Sequence, residues 1–90
     1  MATTTTYHVS SVDDPYGEIH TVKRSAIRTA RKLNREVESR EPGDWETRTE
    51  AQQDRIESAL YDVTATRNHR ADPDFQQGHV DLYDGRIDWA

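Results

Sequence analysis

Thr and apolar side chains dominate residues 3–12, and they alternate so that Thr5, Tyr7 and Val9 share one side. A β-branched run with period two predicts a strand. Asp13-Asp14-Pro15-Tyr16-Gly17 predicts a turn, because proline presets φ and glycine admits positive φ. Residues 18–23 (Glu-Ile-His-Thr-Val-Lys) fit either a second hairpin strand or the first turn of a helix. Lys23 would sit close to the apolar side of that helix, which favours a short strand.

Further along, the period changes. Ala26, Ala30, Leu33 and Val37 recur at i, i+4, i+7 and i+11, with Ile27 at the margin, and predict a helix over 25–39. Glu41-Pro42-Gly43-Asp44 interrupts it. Ile56, Ala59, Leu60 and Val63 then predict a second helix over 50–66, with Thr49 and Gln52 spaced as a capping box. Residues 68–78 read as a polar loop. The chain closes on a predicted hairpin, 79–83 with 86–89, across Asp84-Gly85, a dipeptide favoured in type I′ turns. The expected fold is α+β in one domain, 1–90: a small antiparallel sheet, made of an N-terminal strand or hairpin plus the C-terminal hairpin, packed against two amphipathic helices.

Composition tempers this picture. Ile, Leu, Val and Phe fill 14 of 90 positions, below the roughly 20% at which disorder becomes a concern. The net charge of -5 is too small to enforce disorder, so the expectation is a folded chain with a thin core. There is no cysteine, which excludes disulfides and thiolate zinc sites. The start of the chain lacks the basic and apolar regions of a signal peptide, and no stretch approaches the roughly 20 apolar residues of a membrane span. A cytoplasmic protein is expected, in the host cytoplasm if phage-encoded.

Charge is sorted more sharply than the total suggests. Residues 23–35 hold six basic side chains and no acid, whereas 41–66 hold seven acids against Arg48 and Arg55. On a helical wheel Arg24, Arg28, Arg31 and Arg35 fall within roughly 60° of one another, nearly opposite Ala26, Ala30, Leu33 and Val37. In the second predicted helix Glu50, Asp54, Glu57 and Tyr61 make the corresponding acidic stripe. Any amphipathic surface helix carries a charged outer side, and exposed ion pairs contribute only about 0–1 kcal/mol each. A side that only solubilises normally mixes signs, however, so both stripes are candidate protein-binding surfaces. Trp45, between the helices, joins them as an aromatic that a chain this poor in apolar residues would not expose without a use.

No motif supports catalysis: GxSxG, GxGxxG and Walker-type loops are all missing. No cofactor is expected, and no metal, since His69/Asp72 and His79/Asp81 make only weak pairs and no HExxH-like cluster occurs. The leading expectation is a non-catalytic protein-interaction module. Its size and acidity are those of small phage or mobile-element inhibitors that occlude a host defence complex, CRISPR-type or otherwise nucleic-acid-binding, by presenting carboxylates in place of phosphates. The alternative is a small nucleic-acid-binding regulator using Arg24, Arg28, Arg31 and Arg35, against which the pI near 5.2 counts. A third reading is a homo-oligomer in which one copy's basic helix meets another's acidic helix.

Overall fold

The computed structural model describes residues 4–41, 43–68 and 73–89. Pro42, His69 and Asp72, which the sequence reading used, lie outside them. The elements run β1 (Thr5–Ser10), β2 (Glu18–His20), α1 (Lys23–Ser39), a 3-10 turn (Trp45–Thr47), α2 (Glu50–Ala59), β3 (Asp62–Arg67), β4 (Gln76–Val80) and β5 (Ile87–Trp89). All strand pairs are antiparallel, in the order β2-β1-β3-β4-β5. The α+β class and the two helices are as expected, and residues 18–20 are indeed strand. The centre of the sheet is not as expected: the second helix stops at Ala59, β3 takes the last five residues assigned to it, and it joins the two terminal hairpins into one sheet.

Alternation divides the sheet into a dry and a wet side. In register across the middle stand Tyr7, Ala65, Gly78 and Trp89, and beside them Val9, Val63, Val80 and Ile87. Val9, Val63, Ala65 and Val80 are fully buried there with Ala26 and Ala30 of α1, and Ile27, Leu33, Leu82 and Trp89 pack around them. Each large aliphatic side chain buried this way contributes about 1.5–3 kcal/mol. Alanines on α1 and β3 let helix and sheet approach closely. Gly78 makes room for the indole of Trp89, since a Cβ there would lie 3.0 Å from the ring. Arg67 covers that ring from 4.3 Å and hydrogen-bonds Gln76. On the wet side His8, Thr64, His79 and Asp88 form one cross-strand row with Ile19.

The short helix α2 packs principally on α1 and buries Ile56. Its N-terminus carries the capping box in full: Thr49 Oγ1 accepts from the Gln52 amide at 3.2 Å, and Gln52 Oε1 accepts from the Thr49 amide at 2.8 Å. It stops where Leu60 turns to ψ 136°. The final connection also differs from expectation. Only Gly85 there has positive φ, at 77°, whereas a type I′ turn needs two such residues. The strands end at Val80 and Ile87, and residues 81–86 form a longer loop closed by the Gly85 amide on the Asp81 carbonyl at 3.0 Å.

Candidate functional site

Helix α1 fixes the orientation of the arginines by burying the opposite side. Ala26, Ala30 and Val37 are buried, so Arg24, Arg28, Arg31 and Arg35 are all exposed. At 1.5 Å per residue they extend over about 16 Å of helix. Among the described residues none of the four side chains donates a hydrogen bond or enters an ion pair. Their charges are therefore available to a partner with no internal contact to break.

The row borders a groove of about 630 Å³ whose remaining wall includes Leu60, Leu82 and Tyr83. Two polar devices hold that wall. Asn34, on α1, clamps the α2–β3 link with both ends of its amide: Nδ2 donates to the Tyr61 carbonyl at 3.1 Å, and Oδ1 accepts from the Tyr61 amide at 2.6 Å. Asp81 organises the β4–β5 loop, its carboxylate accepting from the amides of Tyr83 at 2.7 Å and Asp84 at 3.2 Å. Those amides hold the Asp81 carboxyl below the usual carboxylate range. The loop thus presents Tyr83 with 92% of its surface exposed, beside the Arg row and on a fixed turn. With the backbone of the turn already fixed, a partner that binds here need not order the loop.

The acidic side is shorter than the wheel suggested. Glu50, Asp54 and Glu57 are exposed on α2, and none has an internal ion-pair or hydrogen-bond partner among the described residues. Tyr61 does not continue their stripe. It lies beyond the helix, packs against the core and donates its hydroxyl to Asp14 Oδ2 at 2.9 Å. That bond, with burial and the Asp14 charge, raises its pKa above 10.0. Trp45 sits on the 3-10 turn at 41% exposed, with its carbonyl accepting from Gln53 Nε2 at 2.8 Å, and it borders neither the Arg row nor its groove. Tyr61 thus does not belong to the stripe on α2, and Trp45 is set apart from the Arg row.

A smaller hollow, about 430 Å³, separates the end of α1 from α2. Of the charges that line it, Glu41 and Arg55 are engaged internally and Asp54 is not. Glu41 binds Arg55 at 3.1 Å and Gln52 at 3.2 Å, while Arg48 donates to the Glu38 and Glu41 carbonyls and so satisfies the end of α1.

The histidines are dispersed. His8 Nε2 donates to the Tyr16 carbonyl at 2.7 Å, His20 Nδ1 pairs with Ser25 Oγ at 3.0 Å, and His79 Nε2 approaches Asp62 at 3.5 Å. Among the described residues no three His, Asp or Glu converge as metal ligands. Asp81 lies in the loop after β4, away from the strand position that would pair it with His79.

Sequence reasoning found the Arg row and missed the residues that make it concave. Asn34 carries no signal of its own in the sequence, and Asp81 and Tyr83 both fall in the predicted strand over 79–83. Only the density of Asp around 81–84 hinted at a hydrogen-bonded turn. Compared with protein-family models, with curated proteins and with solved structures, the chain matches none.

Proposed function

We propose that the protein is a non-catalytic interaction module that takes an acidic, partly apolar protein segment into the groove along α1. The observation that carries this reading is the row Arg24, Arg28, Arg31 and Arg35, exposed, without internal partners and bordered by Tyr83 and Leu82. Arg and Tyr are the side chains enriched among binding hot spots, and an acidic segment with one aromatic or leucine anchor matches a basic rim around an apolar wall. The test is fluorescence anisotropy with a labelled Glu-rich peptide bearing one Phe, alongside a labelled single-stranded oligonucleotide. Binding of the peptide, weakening from about 50 to 200 mM salt and lost in Arg28→Glu/Arg31→Glu, is the expected result. Failure of the peptide to bind overturns it, and tight binding of the oligonucleotide instead transfers the row to a nucleic-acid regulator.

One observation favours a second reading. Glu50, Asp54 and Glu57 stand exposed and unpaired on one side of α2, a row of carboxylates that fits the basic surface of a nucleic-acid-binding complex. In that reading the protein is a phage or mobile-element inhibitor acting through α2. Reversal of the three acids to Lys would then abolish inhibition while the Arg substitutions left it intact.

A further inference from the structure

The edge strand β2 combines unused backbone groups with exposed apolar side chains. Its backbone direction follows from the ladder. The Asn68 amide donates to the Thr4 carbonyl at 2.9 Å, so even-numbered residues of β1 turn their backbone groups to β3 and odd-numbered ones to β2. Tyr7 and Val9 therefore bond His20 and Glu18, their register partners. Ile19, between those two, points its N–H and C=O outward from the sheet edge.

On this strand or next to it in sequence are Tyr16, Ile19 and Val22, three of the six large hydrophobics that are exposed among the described residues, with Tyr16 at 89% and Ile19 at 71%. Single exposed apolar residues need no explanation, but three within seven positions at a free strand edge do. The strand ends at His20, and the chain bends at Thr21 and Val22 before α1 begins. At the opposite edge, β5 turns Ile87 and Trp89 into the core.

We propose that two copies pair antiparallel through β2 about a two-fold axis at Ile19. An isologous contact needs a self-complementary strip, and this register supplies one. Ile19 of each copy exchanges N–H···O=C bonds with Ile19 of the other, and their side chains meet on the wet side. Beyond β2 the pairing does not continue: Gly17 has φ 47° with its amide committed to Asp14 Oδ1 at 3.2 Å, and the chain bends at Thr21 and Val22. His20, opposite Glu18 of the other copy, keeps its Nδ1 on Ser25 Oγ at 3.0 Å. The product is a ten-stranded sheet.

Light scattering on the whole chain from about 10 μM to 1 mM, the range for a small contact of this kind, reads the result. The wild type should rise toward twice the monomer mass, equally at low and high salt. Ile19→Pro removes the outward N–H without touching the ladder to β1, and Ile19→Glu places like charges face to face across the axis. Both should remain monomeric. Circular dichroism checks their fold, and Ile19→Glu carries the test if the proline variant unfolds. A wild type that stays monomeric at 1 mM overturns the proposal. So does a dimer that survives Ile19→Glu, and so does one that high salt dissolves, which would point to pairing between basic and acidic helices.

Discussion

Tyr61 shows how one side chain acquires a role that its neighbours in sequence do not announce. Its spacing from Glu50, Asp54 and Glu57 places it on their stripe only while the helix continues, and the helix ends at Ala59. Past that point its hydroxyl reaches 47 residues back to Asp14 and ties the β1–β2 loop to the α2–β3 link, reinforced by the Asp13 amide on the Ser58 carbonyl at 3.1 Å. Tyr61→Phe should cost on the order of 1 kcal/mol at neutral pH, measured by urea unfolding. The pH dependence has a definite sign. The folded pKa is raised, chiefly by the Asp14 hydrogen bond, so the bond's stabilisation is fully present below about pH 10 and is lost as pH rises through the folded value. The gap between wild type and Tyr61→Phe should close above pH 10. A gap that persists at high pH would mean that the hydroxyl is not the stabilising group. Other residue identities were legible beforehand. Gly17 was read as a turn glycine, and its φ is 47° with the Val9 carbonyl 1.7 Å from where a Cβ would stand, a place no other residue can occupy without moving β1.

Among the elements, α1 was readable because nothing competes with its period: its apolar positions fit a helix and no strand alternation runs through them. The second helix was readable at its start for the same kind of local reason. Thr49 and Gln52 satisfy two amides reciprocally, and that bond pattern is written in two residues three apart. Thr49→Ala should therefore lower the urea midpoint by the equivalent of about 1 kcal/mol without changing the unfolding slope; no change would show that α2 frays independently of the fold. Its end was hidden by a coincidence of two periods. Ile56, Leu60 and Val63 fit a helix, but Val63 and Ala65 also alternate with Asp62, Thr64 and Thr66. Three β-branched residues in five favour a strand, and the decision belongs to partners far away: β1, more than fifty residues earlier, and β4 bond the segment on both sides. Tertiary pairing of that separation leaves no local mark. The Arg groove was half legible for the same reason, since its basic rim lies on one helix while its apolar wall comes from the α2–β3 link and the β4–β5 loop.

For the whole molecule, the placement of β3 determines where stability resides. Among the described strands it alone does not pair with the strand that precedes it in sequence, and it joins the β1–β2 hairpin to the β4–β5 hairpin. Both terminal hairpins depend on it for a shared core, of which Val63 and Ala65 are the centre. Among the described residues eight hydrophobic side chains are buried, three of them alanine, so opening this core should be a single cooperative event, and local fraying should be confined to the edges. Amide hydrogen exchange by NMR separates these. The N–H groups of Val63 and Ala65 point to β4 and those of Thr64 and Thr66 to β1, so all four are bonded within the sheet and should exchange slowest. The N–H groups of Ile87 and Trp89 face outward from β5 and should exchange at least about a hundredfold faster. Ile19 is the diagnostic position. In dilute solution it should exchange like Ile87, because its amide leaves the opposite edge of the same sheet; near 1 mM it should slow while Ile87 does not. Slow exchange at Ile87 in dilute solution would contradict the strand register itself, and equal rates at Ile19 across the concentration range would leave β2 a bare edge.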